Sequence, residues 1–282
     1  MEIKRDIYLE QLKIRKNNGM IKIITGIRRC GKSFLLFVLY KKYLLENGVD
    51  KDHIIEIALD GIEYEELRDP KKCFQYIKNE IKDEQMYYLL LDEVQFMPRF
   101  EEVLNSLLRI HNIDMYVTGS NSKFLSSDIV TEFRGRGDEI RIYPLSFAEF
   151  YAAFGGDYDD AWNEYMIYGG LPQVVQFSVE RQKAEYLKNI FTNVYIKDVV
   201  ERNKIHNVDE INTLIDILAS AIGASTNPTK ISNTFKSDRG IIYNNKTISN
   251  HIDYLVETFL ISKANRLSLI HISEPTRQAE IS

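Results

Sequence analysis

The sequence predicts an α/β fold: a parallel five-stranded sheet covered by helices, then an all-helical stretch. Three observations carry this prediction. Apolar strand-like runs alternate with helical patterns over the first half of the 282-residue chain, as in a parallel sheet covered on both faces. A glycine-rich stretch with anion-cradling spacing joins the first such run to the first helical pattern. Beyond about residue 144 the pattern turns wholly helical.

The first strand reads over 20–25, with Ile21-Lys22-Ile23-Ile24-Thr25 as its apolar run. Residues Gly26-Ile27-Arg28-Arg29-Cys30-Gly31-Lys32-Ser33 follow, in the spacing G-x-x-x-x-G-K-S, and a helix over 33–46 leaves them. Glycines there let backbone N–H groups converge on phosphate oxygens, and the helix N-terminus adds partial positive charge. Lys32 is placed to reach the β and γ phosphates, and the Ser33 hydroxyl to ligate Mg²⁺. Gly26, Ile27, Arg28, Arg29, Cys30, Gly31, Lys32, Ser33 and Phe34 are therefore the candidate nucleotide-binding set. An ordinary glycine turn is the rival account, and the strand-loop-helix context weighs against it.

Further strands read over 54–59, 87–91, 113–118 and 139–143, with helices over 70–82, 100–111 and 121–134. The third run ends in Asp92-Glu93. Asp92 is the second candidate metal-shell residue beside Ser33. Glu93 is the candidate catalytic group that orients water, since phosphoryl transfer asks a protein chiefly for positioning and charge stabilisation. Two solvated acids at a strand exit are the bland alternative. Gln95 could touch the same water or be a loop contact. At the next strand tip, Asn121 (failing that, Ser120) suits a γ-phosphate sensor, and a helix N-cap suits the same residues. Arg136, in Arg134-Gly135-Arg136, is the candidate arginine finger toward a neighbouring subunit; a surface arginine is the alternative. Cys30 reads as a small filler, although a helix N-terminus lowers a thiol pKa.

In the helical half, Gly155-Gly156-Asp157 reads as a hinge, and Gly169-Gly170-Leu171-Pro172 stops a helix ending at Tyr168. A long helix from about Glu180 to Asn203 turns Leu187, Ile190, Phe191, Val194 and Tyr195 toward a core. From Pro228, a helix Thr229 to Phe235, a turn at Gly240, a helix capped by Thr247 and a strand from Phe259 describe a winged helix. Residues 228–266 hold six Lys or Arg against three acids in a chain of net charge −5. Lys246, Asn250 and His251 fall on or near the candidate recognition helix, so duplex DNA is a possible partner. A packing or protein-contact module is the equal alternative. The acidic balance argues against a chain wrapped in nucleic acid, while a local basic patch stays open. Two cysteines form no framework, no apolar run reaches membrane-spanning length, and the charged N-terminus lacks an export signal. The expected location is the cytoplasm.

The loop, the Leu-Asp-Glu-x-Gln strand end, Thr-Gly-Ser-Asn-Ser (118–122), Tyr-Pro-Leu-Ser-Phe-x-Glu-Phe (143–150) and Gly-Gly-Leu-Pro (169–172) occur in order. Over residues 1–266 this set resembles prokaryotic AAA-type ATPases that join an ATP-binding domain to a winged helix and a nuclease-like domain of unknown function. The resemblance implies ATP rather than GTP, a helical lid and a possible homo-oligomer. It assigns Lys32 and Ser33 to phosphate and Mg²⁺, Asp92 and Glu93 to the acid pair, Asn121 to the sensor and Arg136 to the arginine before the last core strand. The expected divisions are 1–157 (ATPase core), 158–224 (helical lid) and 225–266 (truncated winged helix). Residues 267–282 stand where the nuclease-like domain is expected and read as a translated sequencing adapter, a non-biological tail. The expected function is Mg²⁺-dependent ATP hydrolysis; a nucleotide-held switch and a DNA-binding regulator are the alternatives.

Overall fold

Residues 2–120, 133, 135–240 and 243–264 are described by the structure, a computed structural model. Five segments pair: β1 (Ile21–Thr25), β2 (Ile54–Ala58), β3 (Tyr87–Asp92), β4 (Ile113–Gly119) and β5 (Gly137–Arg141). They form one sheet in the order β2-β3-β4-β1-β5, with every neighbouring pair parallel. The central strands are apolar throughout because helices cover both faces. Side chains alternate between two cores. Ile21, Ile23, Leu89, Leu91 and Val117 pack on one face, against α4 (Pro70–Glu80) and α5 (Phe100–Leu107). Ile24, Leu90 and Tyr116 pack on the other, against α1 (Asp6–Ile14) and the helix that follows β1.

That helix opens as α2 (Lys32–Phe34), widens into a π-helical stretch (Leu35–Tyr40) and closes as α3 (Lys41–Glu46). The widened turn keeps Leu35, Leu36, Leu39, Tyr40 and Leu44 buried. Lys22, on β1, is fully buried. It pairs with Asp114, whose other oxygen accepts a 2.7 Å hydrogen bond from the Tyr116 hydroxyl. Burial pushes the Lys22 ammonium below its ordinary pKa, and Asp114 opposes the shift.

Past the sheet come α6 (Phe147–Phe154) and α7 (Tyr158–Tyr168). Ser146 and Glu149 form a capping box on α6, and Asp157 caps α7. Glycine ends both helices: Gly155 (φ 70°) and Gly169 (φ 71°) take the positive φ that other residues resist. The long helix is built from α8 (Glu180–Ile190), a second π-helical stretch (Phe191–Ile196) and α9 (Lys197–Asn203). A third core begins at Ile196 and Val199 and gathers α10 (Val208–Ser220), α11 (Pro228–Arg239) and α12 (Asn245–Glu257).

Several expectations need correction. β5 lies two residues upstream of the predicted strand, since Ile21 pairs with Gly137 and leaves Ile142 and Tyr143 beyond it. The helix predicted to residue 111 stops at Leu107. Asn244, rather than Thr247, caps α12 through its side chain. Helix α10 was not read at all. Phe259 starts no strand: it adopts φ 60° within a turn and packs into the second core, under the Arg141 guanidinium at 5.0 Å. Burial of that ring outweighs its strand propensity. The helix predicted over 121–134 falls almost wholly outside the described residues, as does any wing beyond residue 264.

Candidate nucleotide site

The site stands at the sheet edge where β1, β4 and β3 end together. Thr25 is level with Gly119, and Leu91 with Val117. The loop after β1 and the acids after β3 therefore straddle the tip of β4. Gly26 adopts φ 146°, and a Cβ there would overlap the Ile142 carbonyl oxygen, so only glycine fits at this turn. Gly31 adopts φ 100° at the helix start.

Lys32 is buried and curls back over the loop. Its Nζ donates to the carbonyls of Gly26 (3.1 Å) and Ile27 (3.3 Å) and stands 4.0 Å from Glu93 Oε1. The loop lysine and the candidate water-orienting acid thus face one space. Asp92 lies behind them, only 3% exposed. It accepts the Thr118 hydroxyl, and the Ser33 side chain favours its charged form. Burial pushes its carboxyl above the ordinary range; these hydroxyls work against that, and nearby Glu93 adds to it. A buried carboxylate whose charge is penalised, with a hydroxyl of the phosphate loop on it, fits a divalent cation.

Glu93 adopts φ 52°, a left-handed backbone conformation that costs a non-glycine residue about 1–2 kcal/mol. The turn swings its side chain off the strand and into the site. Its N–H donates to Thr118 Oγ1 at 3.0 Å. Glu93 Oε2 accepts from Gln95 Nε2 and from the Ser120 hydroxyl at 3.2 Å. Gln95, weighed in the sequence as a water contact or a loop contact, thus grips the acid itself. Ser120 joins the site; Asn121 lies outside the described residues.

A cavity of about 780 Å³ opens over the loop, lined by Arg28 through Phe34 and by Glu93. Gly26 and Ile27 lie below it and meet Lys32 through their carbonyls. The far wall was not read from the sequence. Pro172, Gln176, Phe177 and Tyr186 come from the helical part, and Ile3 and Arg5 from the N-terminal segment. The glycines at 169–170 signal this packing: a Cβ on Gly170 would overlap the Leu145 carbonyl, whose own N–H donates to Gly170 O at 2.7 Å. Leu171 and Pro172 are thereby held against the loop.

Arg5 is buried, donates to the carbonyls of Cys30 (3.4 Å) and Tyr143 (2.5 Å), and lies 3.2 Å from Glu149. This gives the 143–150 motif its structural part. Ile7 and Tyr8 of α1 do not line the cavity; Ile7 is 65% exposed. Cys30 is the small filler expected, while the pKa-lowering helix end is overridden: the residue is fully enclosed, and burial pushes its thiol up. Arg136 is exposed at the opposite end of β5 from the loop, where its carbonyl accepts from Ile21 N–H at 2.8 Å; it cannot serve the site of its own chain. On α12, Lys246 and Asn250 are exposed, but His251 is buried and bonded through Nδ1 to the Tyr243 hydroxyl, so it is no DNA contact.

A family model described as an AAA domain matches residues 18–151, and one for a domain of unknown function matches residues 159–278. An uncharacterised protein of Haemophilus influenzae is 36% identical over 273 residues, 95% of this chain and 68% of that protein. An uncharacterised protein of Methanocaldococcus jannaschii is 30% identical over 282 residues, 94% of this chain and 60% of that one. Among solved structures, a DNA polymerase III gamma subunit-related protein from Thermotoga maritima aligns with a TM-score of 0.43 at 12% identity, covering 96% of this chain and 99% of that one. The Aeropyrum pernix Orc1 protein in complex with DNA gives 0.40 at 12% identity, covering 96% and 87%. Among the described residues no helix is long and apolar enough to cross a membrane.

Proposed function

Because the chain belongs to the family of its Haemophilus influenzae relative and carries the AAA-type P-loop ATPase fold, we propose that it binds ATP with Mg²⁺ and hydrolyses it. One observation carries this reading: the 4.0 Å approach of Lys32 Nζ to Glu93 Oε1, above the buried Asp92 and its Ser33 contact. A triphosphate in this cradle meets the loop N–H groups and the Lys32 charge on one side and the Glu93 carboxylate on the other. Asp92 and Ser33 are the residues that would hold Mg²⁺, which supplies charge neutralisation on the phosphates. Glu93 Oε2 is engaged by Ser120 and Gln95, which leaves Oε1 to orient water. The far wall of the cavity, from the helical part and the N-terminal segment, flanks this space.

The test is phosphate release from Mg²⁺-ATP together with nucleotide binding. Lys32→Ala is expected to lose binding. Glu93→Gln is expected to keep ATP and lose about 10²-fold or more in turnover. Equal turnover in Glu93→Gln and the unaltered chain would end the hydrolysis reading and leave a nucleotide-held switch.

A second role rests on the exposed Lys246 and Asn250 of α12. Contact with duplex DNA through this helix predicts binding that weakens steeply with salt and falls further in Lys246→Ala. Absence of binding at low salt removes this role and leaves the ATPase reading intact.

A further inference from the structure

We infer that Arg28, inside the phosphate loop, is a positioning residue that couples the helical part to Glu93. The inference rests on the hydrolysis reading and names a regulator of the same site. Four groups form a chain of hydrogen bonds. The Tyr195 hydroxyl donates to the Arg28 carbonyl at 3.0 Å. Arg28 Nε donates to Ser120 Oγ at 3.2 Å. Ser120 Oγ donates to Glu93 Oε2 at 3.2 Å. Gln95 Nε2 reaches both Ser120 Oγ, at 3.3 Å, and Glu93 Oε2.

The direction of each bond follows from what the groups can do. A guanidinium only donates, and the Gln95 amide nitrogen only donates. With two donors on its oxygen, the single Ser120 hydrogen is left for the carboxylate. Arg28 therefore fixes the orientation of the Ser120 hydroxyl and, through it, which Glu93 oxygen is tied down. The untied oxygen, Oε1, is the one facing Lys32.

At the other end, Tyr195 lies in the π-helical stretch Phe191–Ile196, a widened turn of the kind frequent at functional sites. Its neighbour Ile196 belongs to the third core. A displacement of the helical part thus pulls on the Arg28 backbone, and the guanidinium carries it to the acid. Arg29, next in the loop, is exposed and enters none of the hydrogen bonds of this chain of groups among the described residues, although its charge acts on Tyr195 and Tyr186, so the hydrogen-bonded coupling is assigned to Arg28.

The experiment measures steady-state Mg²⁺-ATP turnover on the full chain for the unaltered protein, Arg28→Ala, Ser120→Ala, their double variant and Tyr195→Phe. Binding of a non-hydrolysable ATP analogue is measured in parallel. Each single change is expected to lower kcat about tenfold, with analogue affinity held within about twofold in Tyr195→Phe, and the double variant is expected to be no slower than the slower single, since coupled sites do not add. Tyr195→Phe removes one hydroxyl from an otherwise intact ring and so separates coupling from misfolding. Unchanged kcat in Arg28→Ala or in Tyr195→Phe overturns the relay, as does a double variant whose loss is the product of the two singles. An unaltered chain that binds ATP and releases no phosphate overturns the hydrolysis reading and the relay with it. Turnover that persists equally in Arg28→Ala overturns the relay alone.

Discussion

The Asp92 carboxylate is held where burial opposes its charge. The folded chain keeps this proton more tightly than the unfolded chain, whose Asp titrates near 3.8. The group therefore favours folding at acid pH, and that contribution is lost as pH rises through the raised value. Asp92→Asn removes the loss. Without nucleotide, it is expected to melt above the unaltered protein at neutral pH, with the gap closing toward pH 4; a gap independent of pH would refute the electrostatic cause. If the chain binds Mg²⁺-ATP as proposed, the order is expected to reverse in its presence, because only the charged form would hold the cation. At this scale the sequence was legible where chemistry depends on spacing: Lys32, Ser33, Asp92 and Glu93 meet as read. Gln95 and Ser120 were weighed without their partners. Their grip on Glu93 depends on its left-handed backbone, which strand propensity does not announce.

Elements were legible where burial and capping agree, as in the five strands, the Tyr168 helix end and the helix leaving the loop. They were misread where tertiary contact overrides local preference. Phe259 shows this, its ring buried under Arg141; α10 is instead an omission, and its Asn207 start carries no side-chain cap bond. The N-terminal segment before α1 has a stronger role than its charged composition suggested. Arg5 ties the loop carbonyl of Cys30, the carbonyl of Tyr143 and the carboxylate of Glu149 together from within the fold. Arg5→Ala leaves Glu149 largely buried without its cation and is expected to cost about 3–5 kcal/mol. Urea unfolding checks this, and a cost below about 1 kcal/mol would mean that Glu149 is solvated.

At the scale of the whole molecule, one continuous rod from Glu180 to Asn203 touches the cavity and the third core in turn. Ile190 and Val194 line the cavity, Tyr195 reaches the loop, and Ile196 starts the next core. The apolar spacing of this helix was readable in the sequence. Its partner was not, because periodicity reports that a face is covered and not by what. Nucleotide is expected to slow amide exchange over 173–196 as well as over 26–34, and protection confined to the loop would show that the far wall does not engage ligand. The placement of Ile3 and Arg5 at the same opening bears on bench practice. A purification handle or fluorescent fusion joined upstream of Glu2 would be tethered close to this cavity, and binding constants measured on such a fusion would describe the appendage as much as the protein.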